Sequence, residues 1–388
     1  MPHANQPILP GATLGMLGGG QLGRLFTVAA RGMGYRVMVL DPDASCPAGQ
    51  LADVHLCSAY DDPAAWIQLT QHCAAITTEF ENISAEILHA LAKYRPVRPG
   101  AEAVAVVQHR VSEKRWLQAQ GIATAAFAVI AHADDVAAAC SMVGFPAILK
   151  VARFGYDGKG QARVANRAEV DTAFAELGGE VCVLEQQIAL QCELSVVLGR
   201  NAPGQTACFP VAENIHAQGI LDMSIVPARI SPALADLAQQ TALSIAQSLH
   251  YCGVLGVEFF VTTEGKLLVN ELAPRPHNSG HFTLDACLTS QFELQVRALC
   301  NLPLGATAQH TPAVMVNLLG DLWGQCQPNW QVLMQHPCAK LHLYGKVAAR
   351  PGRKMGHFTC LADTVDEALA LAQEIRHALP AGADSFRR

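Results

Sequence analysis

The sequence predicts a mixed α/β and α+β fold: a doubly wound α/β domain first, an α+β middle, and a small β-rich end. Three observations predict it. Short apolar runs alternate with helical periods over residues 14–80. From Ala147 to Ala273 strand-like runs dominate, with few helices among them. From Leu304 onward, three apolar runs close on one amphipathic segment. Alternation of strand and helix makes a parallel sheet covered on both faces, whereas clustered strands make an antiparallel one.

In chain order, Leu14–Gly18 is a short apolar strand, and Gln21–Met33 carries Leu22, Leu25, Phe26 and Ala29 at helical spacing. Tyr35–Leu40 is a strand that ends at Asp41. Ala52–Cys57, DDPAAWIQLTQH and AAITTEF repeat strand, helix, strand. Pro96, Pro99 and Gly100 punctuate the chain and close the first unit at about residue 108. HRVSEKRWLQAQG reads as an exposed charged helix ending at Gly121. AILKVA, CVLEQQI, ELSVVLG, ACFPVAE and LDMSIVPA are strands, and SPALADLAQQTALSIAQSLH is a long amphipathic helix. GVLGVEFFV and KLLVNELAP follow, and the second unit runs over 109–303. AVMVNLLG, AKLHLYGK, KMGHFTCL and the helix TVDEALALAQEIRHAL make the third, 304–388.

Composition fits this size. The 388 residues are 51% hydrophobic and 15% charged, which suits two or three globular domains and argues against disorder. A net charge of −6, without a basic block, disfavours nonspecific nucleic-acid binding. Apolar runs fall short of the ~18 residues of a membrane span. The start, MPHANQPILPGA, lacks a basic segment followed by an apolar core, so it does not read as a signal peptide. The 13 cysteines form no Cys-x-x-Cys pair and mostly sit in apolar runs, as small buried hydrophobes of a reducing cytoplasm would.

Three stretches carry chemistry. The first is LGMLGGGQLGR, in which Gly18-x-Gly20-x-x-Gly23 is followed by Asp41. On paper this is a dinucleotide fingerprint, but a strand-to-helix turn of glycines offers N–H groups to any anion. It therefore reports an anion and not which molecule carries it. Gln21 could add a side-chain donor.

The second is GVLGVEFFVTTEGKLLVNELAP. Two strands, Val254–Thr263 and Lys266–Leu272, flank Glu264-Gly265 as a two-residue hairpin turn. That register sets Glu258 directly opposite Glu271, with Cβ atoms about 4.5–5.5 Å apart. Two adjacent carboxylates among valine, leucine and phenylalanine need a cation or a shared proton. Magnesium bridging them to nucleotide phosphates is the economical reading, and a solvated sheet edge is the plain one.

The third is AILKVARFGYDGKGQARVA. Gly155, Gly158 and Gly160 crowd one loop around Lys159, and Lys150 ends an apolar strand. Glycines let backbone N–H groups approach phosphate oxygens, and a lysine so placed is desolvated unless it meets an anion. A tight hairpin is the alternative for the loop alone.

Lys150, GYDGKGQ, VLEQQI, Glu193, Glu258 and Asn270-Glu271 follow one another in the order of the ATP-grasp ligases. Within that superfamily the chain closely resembles the N5-carboxyaminoimidazole ribonucleotide synthetases of purine biosynthesis. GGGQLGR, TTEFENI, GYDGKGQ, NELAPRPHNSGH and YGKVAARPGRKMGH carry the resemblance, from residue 18 to 357. It implies an ATP-grasp fold, with 1–108 as the pre-ATP-grasp substrate domain, 109–303 as the ATP-grasp domain and 304–388 as a C-terminal domain. It also implies a cytoplasmic homodimer that uses ATP and Mg2+ and takes 5-aminoimidazole ribonucleotide and bicarbonate, with no nucleic-acid or membrane partner.

The resemblance also implies residue roles. Arg110 and Lys150 meet ATP phosphates, and the loop Gly155, Tyr156, Asp157, Gly158, Lys159, Gly160, Gln161 closes over them. Glu185, Gln186, Gln187 and Ile188 line the adenine and hinge, Glu193 holds the ribose, and His216 belongs to the nucleotide site. Glu258 and Glu271 are the metal ligands, with Asn270 beside them. Arg275, Asp157 and Lys346 serve the reaction centre, Arg275 by steadying carboxyphosphate. Tyr156, Lys159, His277, Asn278, Ser279, Lys346 and Arg353 face the imidazole ribonucleotide or its phosphate, as do Gly20, Gln21 and Leu22. Some relatives carry arginine at Lys159; lysine keeps the charge and loses the planar fork. Glu79 and Glu81 share a face, and one of them meets the imidazole amine. His281 reads equally as loop structure, and Arg350 and Lys354 as a solvated basic face.

Three other readings compete, one of them a non-catalytic nucleotide-binding or interaction protein. Another ATP-grasp carboxylase or formyltransferase shares the nucleotide site but not NSGH and RPGRKMGH. An NAD-dependent oxidoreductase rests on GGGQLG and Asp41 alone, and leaves Glu258, Glu271 and GYDGKGQ unexplained.

Overall fold

Four parallel strands in the order β3-β2-β1-β4 build the N-terminal sheet, within a computed structural model that describes residues 6–153, 160–324 and 326–380. The elements are β1 (Thr13–Leu17), α1 (Gln21–Gly32), β2 (Arg36–Leu40), β3 (Val54–Leu56), α2 (Pro63–His72) and β4 (Ala75–Thr78). This is the expected doubly wound start. Asp62 caps α2 by accepting from Ala64 N, with Pro63 at the first helical position. α1 has no side-chain cap of its own, and its first donors are met from elsewhere.

Helices α3 (Ala85–Ala92), α4 (Ala101–Val107) and α5 (Arg110–Ala119) lead into the middle. α5 corrects one expectation. Its charged residues suggested a solvated helix, yet Glu113 and Lys114 are buried at 2% and 0% exposure. Their partners lie far along the chain, so no local pattern announces them.

A small antiparallel sheet in the order β5-β8-β6-β7 comes next. It comprises β5 (Phe127–Ile130), α6 (Val136–Val143), β6 (Ala147–Val151), β7 (Gln161–Val164), α7 (Arg167–Glu176) and β8 (Cys182–Gln186), with both helices packed on one apolar face.

The large sheet has nine strands. It holds β9 (Leu190–Arg200), β10 (Thr206–Cys208), β11 (Ala212–Ala217), β12 (Ile220–Val226), α8 (Pro232–Ser248), β13 (Gly253–Thr262) and β14 (Leu267–Ala273). α9 (Thr283–Ala286) and α10 (Gln291–Leu299) precede β15 (Ala313–Leu319), α11 (Trp330–Met334), β16 (Ala339–Leu343), β17 (Lys354–Leu361) and α12 (Val365–Ala378). The order is β14-β13-β9-β11-β12-β15-β17-β16, with β10 on β9. The β-rich end thus forms no sheet of its own; β15 pairs with β12, Val316 opposite Met223. α8 buries Ala238, Ala242 and Ile245 under this sheet. α10 shares a core with α1 through Phe292, Val296, Leu25 and Phe26, which ties the first unit to the second.

The β13–β14 hairpin departs from the expected two-residue turn. Thr262 N donates to Lys266 O, and Gly265, at φ +77°, donates to Thr262 O, which makes a three-residue loop. The strands leave it one step out of the expected register, with Phe259 opposite Val269. A bulge at Asn270 restores the step, and Glu258 pairs with Glu271 as expected.

Candidate active site

A polar cavity of about 740 Å³ opens between the small sheet and the large one. Arg110 enters it from α5, Lys150 from β6, Gln161 from β7, Glu193 from β9 and His216 from β11. Glu258, Asn270 and Glu271 come from the hairpin; Arg275, His277 and Asn278 follow β14; Glu81 reaches in from the N-terminal unit.

The bulge explains how Asn270 and Glu271 both face the cavity, since two successive residues there oppose one partner. Asn270 Nδ2 donates to Glu258 Oε2 at 3.3 Å, and Asn270 Oδ1 is buried with no hydrogen-bond partner among the described residues. Glu271 Oε2 lies 3.2 Å from Arg110 Nη2. Ser195 donates to Ser279 Oγ at 2.6 Å, and Ser279 Oγ lies 2.7 Å from His277 Nδ1. With Nδ1 accepting, His277 Nε2–H is left to donate to Glu258 Oε1 at 3.0 Å. Ser279 therefore sits behind His277 as its support. Burial would push the Glu258 carboxyl up, but His277, His216 and Asn270 outweigh it and hold it at about 2.

Two carboxylates and an orphaned amide oxygen are a hard-oxygen set that fits magnesium. No group of three or more His, Cys, Asp or Glu among the described residues could hold a metal unaided.

Lys150 does meet an anion, but one from its own sheet. Its Nζ lies 3.0 Å from Glu185 Oε2, and Lys114 Nζ is 3.2 Å from the same oxygen. Burial alone would raise the Glu185 carboxyl; Lys150, Lys114 and Arg110 hold it at about 2. Glu185 thus lies beneath the cavity wall. Gln186, Gln187 and Ile188 carry the chain from β8 in one sheet to β9 in the other, with Gln187 N donating to Pro146 O at 3.0 Å. Across the cavity, His216 Nδ1 is 3.1 Å from Glu193 Oε2. Burial works against the charged ring, and Glu193 raises it on balance.

Arg275 is already paired. Its Nε donates to Glu81 Oε2 at 2.5 Å and its Nη2 to Glu81 Oε1 at 3.3 Å, a two-point contact across units. Burial opposes the ionised carboxyl, but Arg275 prevails and holds it at about 2. Asn278 exchanges amide hydrogen bonds with Asn317 at 3.0 and 2.8 Å, which fixes the loop against β15. His281 lies fully buried, held by Gln291 and tilted against His357 with ring centres 4.8 Å apart. Burial lowers it strongly, so it is a neutral structural ring.

A second cluster lies at the opening glycines, and it corrects the reading of that turn. Gly19 N donates to Asp41 Oδ2 at 2.7 Å, Gly23 N to Glu79 Oε2 at 2.7 Å, and Gly20 N to Glu79 Oε1. The anion at the helix N-terminus is the chain's own Glu79, and the turn's donors are not free to cradle a phosphate. Asp41 is spent on Gly19 and Tyr60, where a dinucleotide protein would offer it to a ribose. Leu22 belongs to the N-terminal core. Gln21 Oε1 accepts from Lys346 Nζ at 2.8 Å, and Lys354 O accepts from the same ammonium at 2.5 Å. Arg353 Nη1 donates to Ala348 O at 2.8 Å in the same loop.

Gly155, Tyr156, Asp157, Gly158 and Lys159 lie outside the described residues; Gly160 turns into β7, which begins at Gln161. The sequence reading missed Glu113, Arg153 and Arg163 on the cavity wall; Lys354, which it left open between the site and a solvated face, lines the cavity. Arg350 is exposed. A lone arginine, in a loop as Arg153 or in a strand as Arg163, gives no signal of its own.

The three units match known families in turn. Residues 11–108 match the ribonucleotide synthetase preATP-grasp domain, 115–292 the ATP-grasp domain, and 313–371 the phosphoribosylaminoimidazole carboxylase C-terminal domain. The chain is 43% identical to the N5-carboxyaminoimidazole ribonucleotide synthase of Bacillus subtilis, over 94% of this chain and 95% of that one. The chain belongs to the N5-carboxyaminoimidazole ribonucleotide synthases. Its likeness to the synthase of Brucella melitensis is 44% over 90% of this chain and 96% of that one. Among solved structures, the ADP complex of an N5-carboxyaminoimidazole ribonucleotide synthetase superposes with a TM-score of 0.91 at 41% identity, covering 96% and 99% of the two chains. The Aspergillus clavatus synthase with ADP and 5-aminoimidazole ribonucleotide gives 0.87 at 29%, covering 95% and 98%. As a member of this family the chain is an ATP-binding ligase with the ATP-grasp fold.

Proposed function

We propose that this chain uses ATP to activate bicarbonate as carboxyphosphate and then carboxylates the exocyclic amine of 5-aminoimidazole ribonucleotide. ADP and phosphate leave, and the product serves de novo purine biosynthesis. The observation that carries this reading is Glu258 facing Glu271 beside the orphaned Asn270 Oδ1, in one cavity with Lys150 and Arg275.

Arg110 and Lys150 bind the ATP phosphates, Glu193 and His216 the ribose end, and Gln186 to Ile188 the adenine side at the link between sheets. Glu258 and Glu271, with Asn270, would hold Mg2+, which supplies charge neutralisation on the phosphates. Phosphoryl transfer of this kind rests on positioning and charge more than on proton transfer. Arg275 exchanges Glu81 for carboxyphosphate, a change of anion that keeps the guanidinium paired throughout. His277, Asn278 and Ser279 orient this end. The 155–161 segment closes over the phosphates and keeps water from carboxyphosphate.

Residues 1–108 supply the substrate domain, 109–303 the nucleotide clamp and 304–388 the basic loop. Lys346, Gln21 and Arg353 take the ribonucleotide, with Lys346 and Arg353 on its phosphate and Glu79 or Glu81 near the amine. Gly20 serves there by leaving room for Glu79. All 13 cysteines are free, which agrees with a reducing cytoplasm. No described helix is long and apolar enough to cross a membrane. Family membership supports a homodimer, which light scattering checks.

Steady-state phosphate release tests the reading. It should need ATP, bicarbonate and 5-aminoimidazole ribonucleotide together. Equal release with formate and a different amine acceptor would overturn it.

A further inference from the structure

α5 carries a charge that the cavity never sees. Lys114 is fully buried, with its Nζ 3.2 Å from Glu185 Oε2 and 5.8 Å from the centre of the Phe127 ring. It is absent from the cavity wall, whereas Lys150 lines it. Both lysines converge on one oxygen of one buried carboxylate, and Glu185 Oε1 has no hydrogen-bond partner among the described residues. One cation would suffice to neutralise Glu185. A second buried cation adds desolvation for no evident gain in the folded chain.

The gain comes when Lys150 leaves. An ammonium that lines a phosphate site must at some point exchange its internal partner for a phosphate oxygen. That exchange would strand Glu185 as a buried carboxylate with no counter-ion, which low dielectric strongly penalises. Lys114 removes the penalty, because its ammonium is buried off the cavity wall, against Glu185. We infer that Lys114 is a positioning residue, the standing counter-ion of Glu185 that frees Lys150 to engage the nucleotide polyphosphate. This rests on the reading of the cavity as the ATP site.

The same helix supports the arrangement. Arg110, Glu113 and Lys114 share one helical side and contact Glu271, Leu272 N and Glu185 respectively. α5 thereby braces β14 of the large sheet against β8 of the small one.

The test measures ADP and ATP dissociation constants by calorimetry, alongside melting temperature, for wild type, Lys114→Met, Glu185→Gln and the double variant. Lys114→Met should weaken both nucleotides about tenfold, as expected for a stranded buried carboxylate. The KM for 5-aminoimidazole ribonucleotide should stay within about twofold. Adding Glu185→Gln should restore nucleotide affinity, because a neutral amide needs no counter-ion. The double variant should bind nucleotide as tightly as Glu185→Gln alone, because Lys114 acts only through that carboxylate.

A Lys114→Met protein with a lowered melting temperature and wild-type nucleotide affinity would mark an ordinary structural ion pair and overturn the inference. If Lys114→Met does not fold alone, the double variant decides, and nucleotide affinity there about tenfold below that of Glu185→Gln overturns it. A wild-type chain that fails to bind ADP would instead sink the nucleotide reading, and this inference with it.

Discussion

Glu79 accepts the backbone N–H of Gly23 at 2.7 Å, from the far end of β4, 56 residues along the chain. With Gly20 N on its other oxygen, this carboxylate fills the position where a dinucleotide phosphate would rest. Burial pushes its carboxyl up against the pull of both N–H groups. A Cβ added to Gly20 would meet Glu79 Oε1 at 2.5 Å, so the glycine is required by an internal neighbour.

Gly20→Ala should therefore displace Glu79 and disturb Gln21 and Lys346 beside it. We expect a melting temperature lower by about 2–8 °C. The KM for 5-aminoimidazole ribonucleotide should rise roughly tenfold, with ADP affinity unchanged. Titration of wild type with millimolar NAD should show no binding. Micromolar NAD binding that the variant loses would revive the oxidoreductase reading.

Much of the fold was legible because its signals are local. The βαβ alternation, the Ser231 and Thr364 caps and the α12 periodicity all lie within a dozen residues of what they specify. The Glu258–Glu271 pair was legible for a less secure reason. The hairpin loop is one residue longer than a two-residue turn, and the bulge at Asn270 takes that step back. Two departures cancel, and only the coordinates reveal either. Glu79 on the glycine turn, Arg275 on Glu81 and Lys114 on Glu185 were illegible. Each joins residues 56 to 194 apart, and no period or cap links them.

Glu271→Gln should leave circular dichroism and melting temperature near wild type, because the amide keeps the shape facing Arg110. Magnesium-dependent ADP formation should fall by at least about a hundredfold. Chelation of divalent cations should do the same to wild type. Normal turnover in the folded variant would remove Glu271 from the metal site.

Lys346→Ala removes a cation bound to Gln21 Oε1 at 2.8 Å, in the cluster away from Lys150. Carboxylation should drop while ADP binding by calorimetry stays within about twofold. A large loss of ADP affinity would move Lys346 to the nucleotide site.

Glu113 sets a pH dependence. Its Oε1 accepts from Leu272 N at 2.6 Å, and burial lifts its carboxyl from an ordinary 4.5 to about 8. A raised folded value means the folded chain holds the proton more tightly. The stability this lends is complete below about pH 4.5 and is lost as pH climbs through 8, at up to about 1.4 kcal/mol per pH unit. Glu113→Gln carries no proton to lose. Its melting temperature relative to wild type should rise steadily from pH 5 to pH 8.5. A flat difference across that range would mean that Glu113 is ionised throughout.

The pairing of β12 with β15 also governs how the molecule comes apart. The first hydrogen-bonded neighbour of β12 on that side lies about ninety residues further on, so the sheet cannot lose its C-terminal strands without baring an apolar edge at Ser224, Ile225 and Val226. The small sheet shares no strand pairing with the large one and joins the rest through α5 and the 187–189 crossing. Amide exchange should therefore divide in two. Protons of β9 to β17 should trade with solvent together, at the cost of global opening, and those of β5 to β8 sooner, as a separate cooperative unit. A chain clipped ahead of residue 313 should precipitate and not persist as a shorter domain.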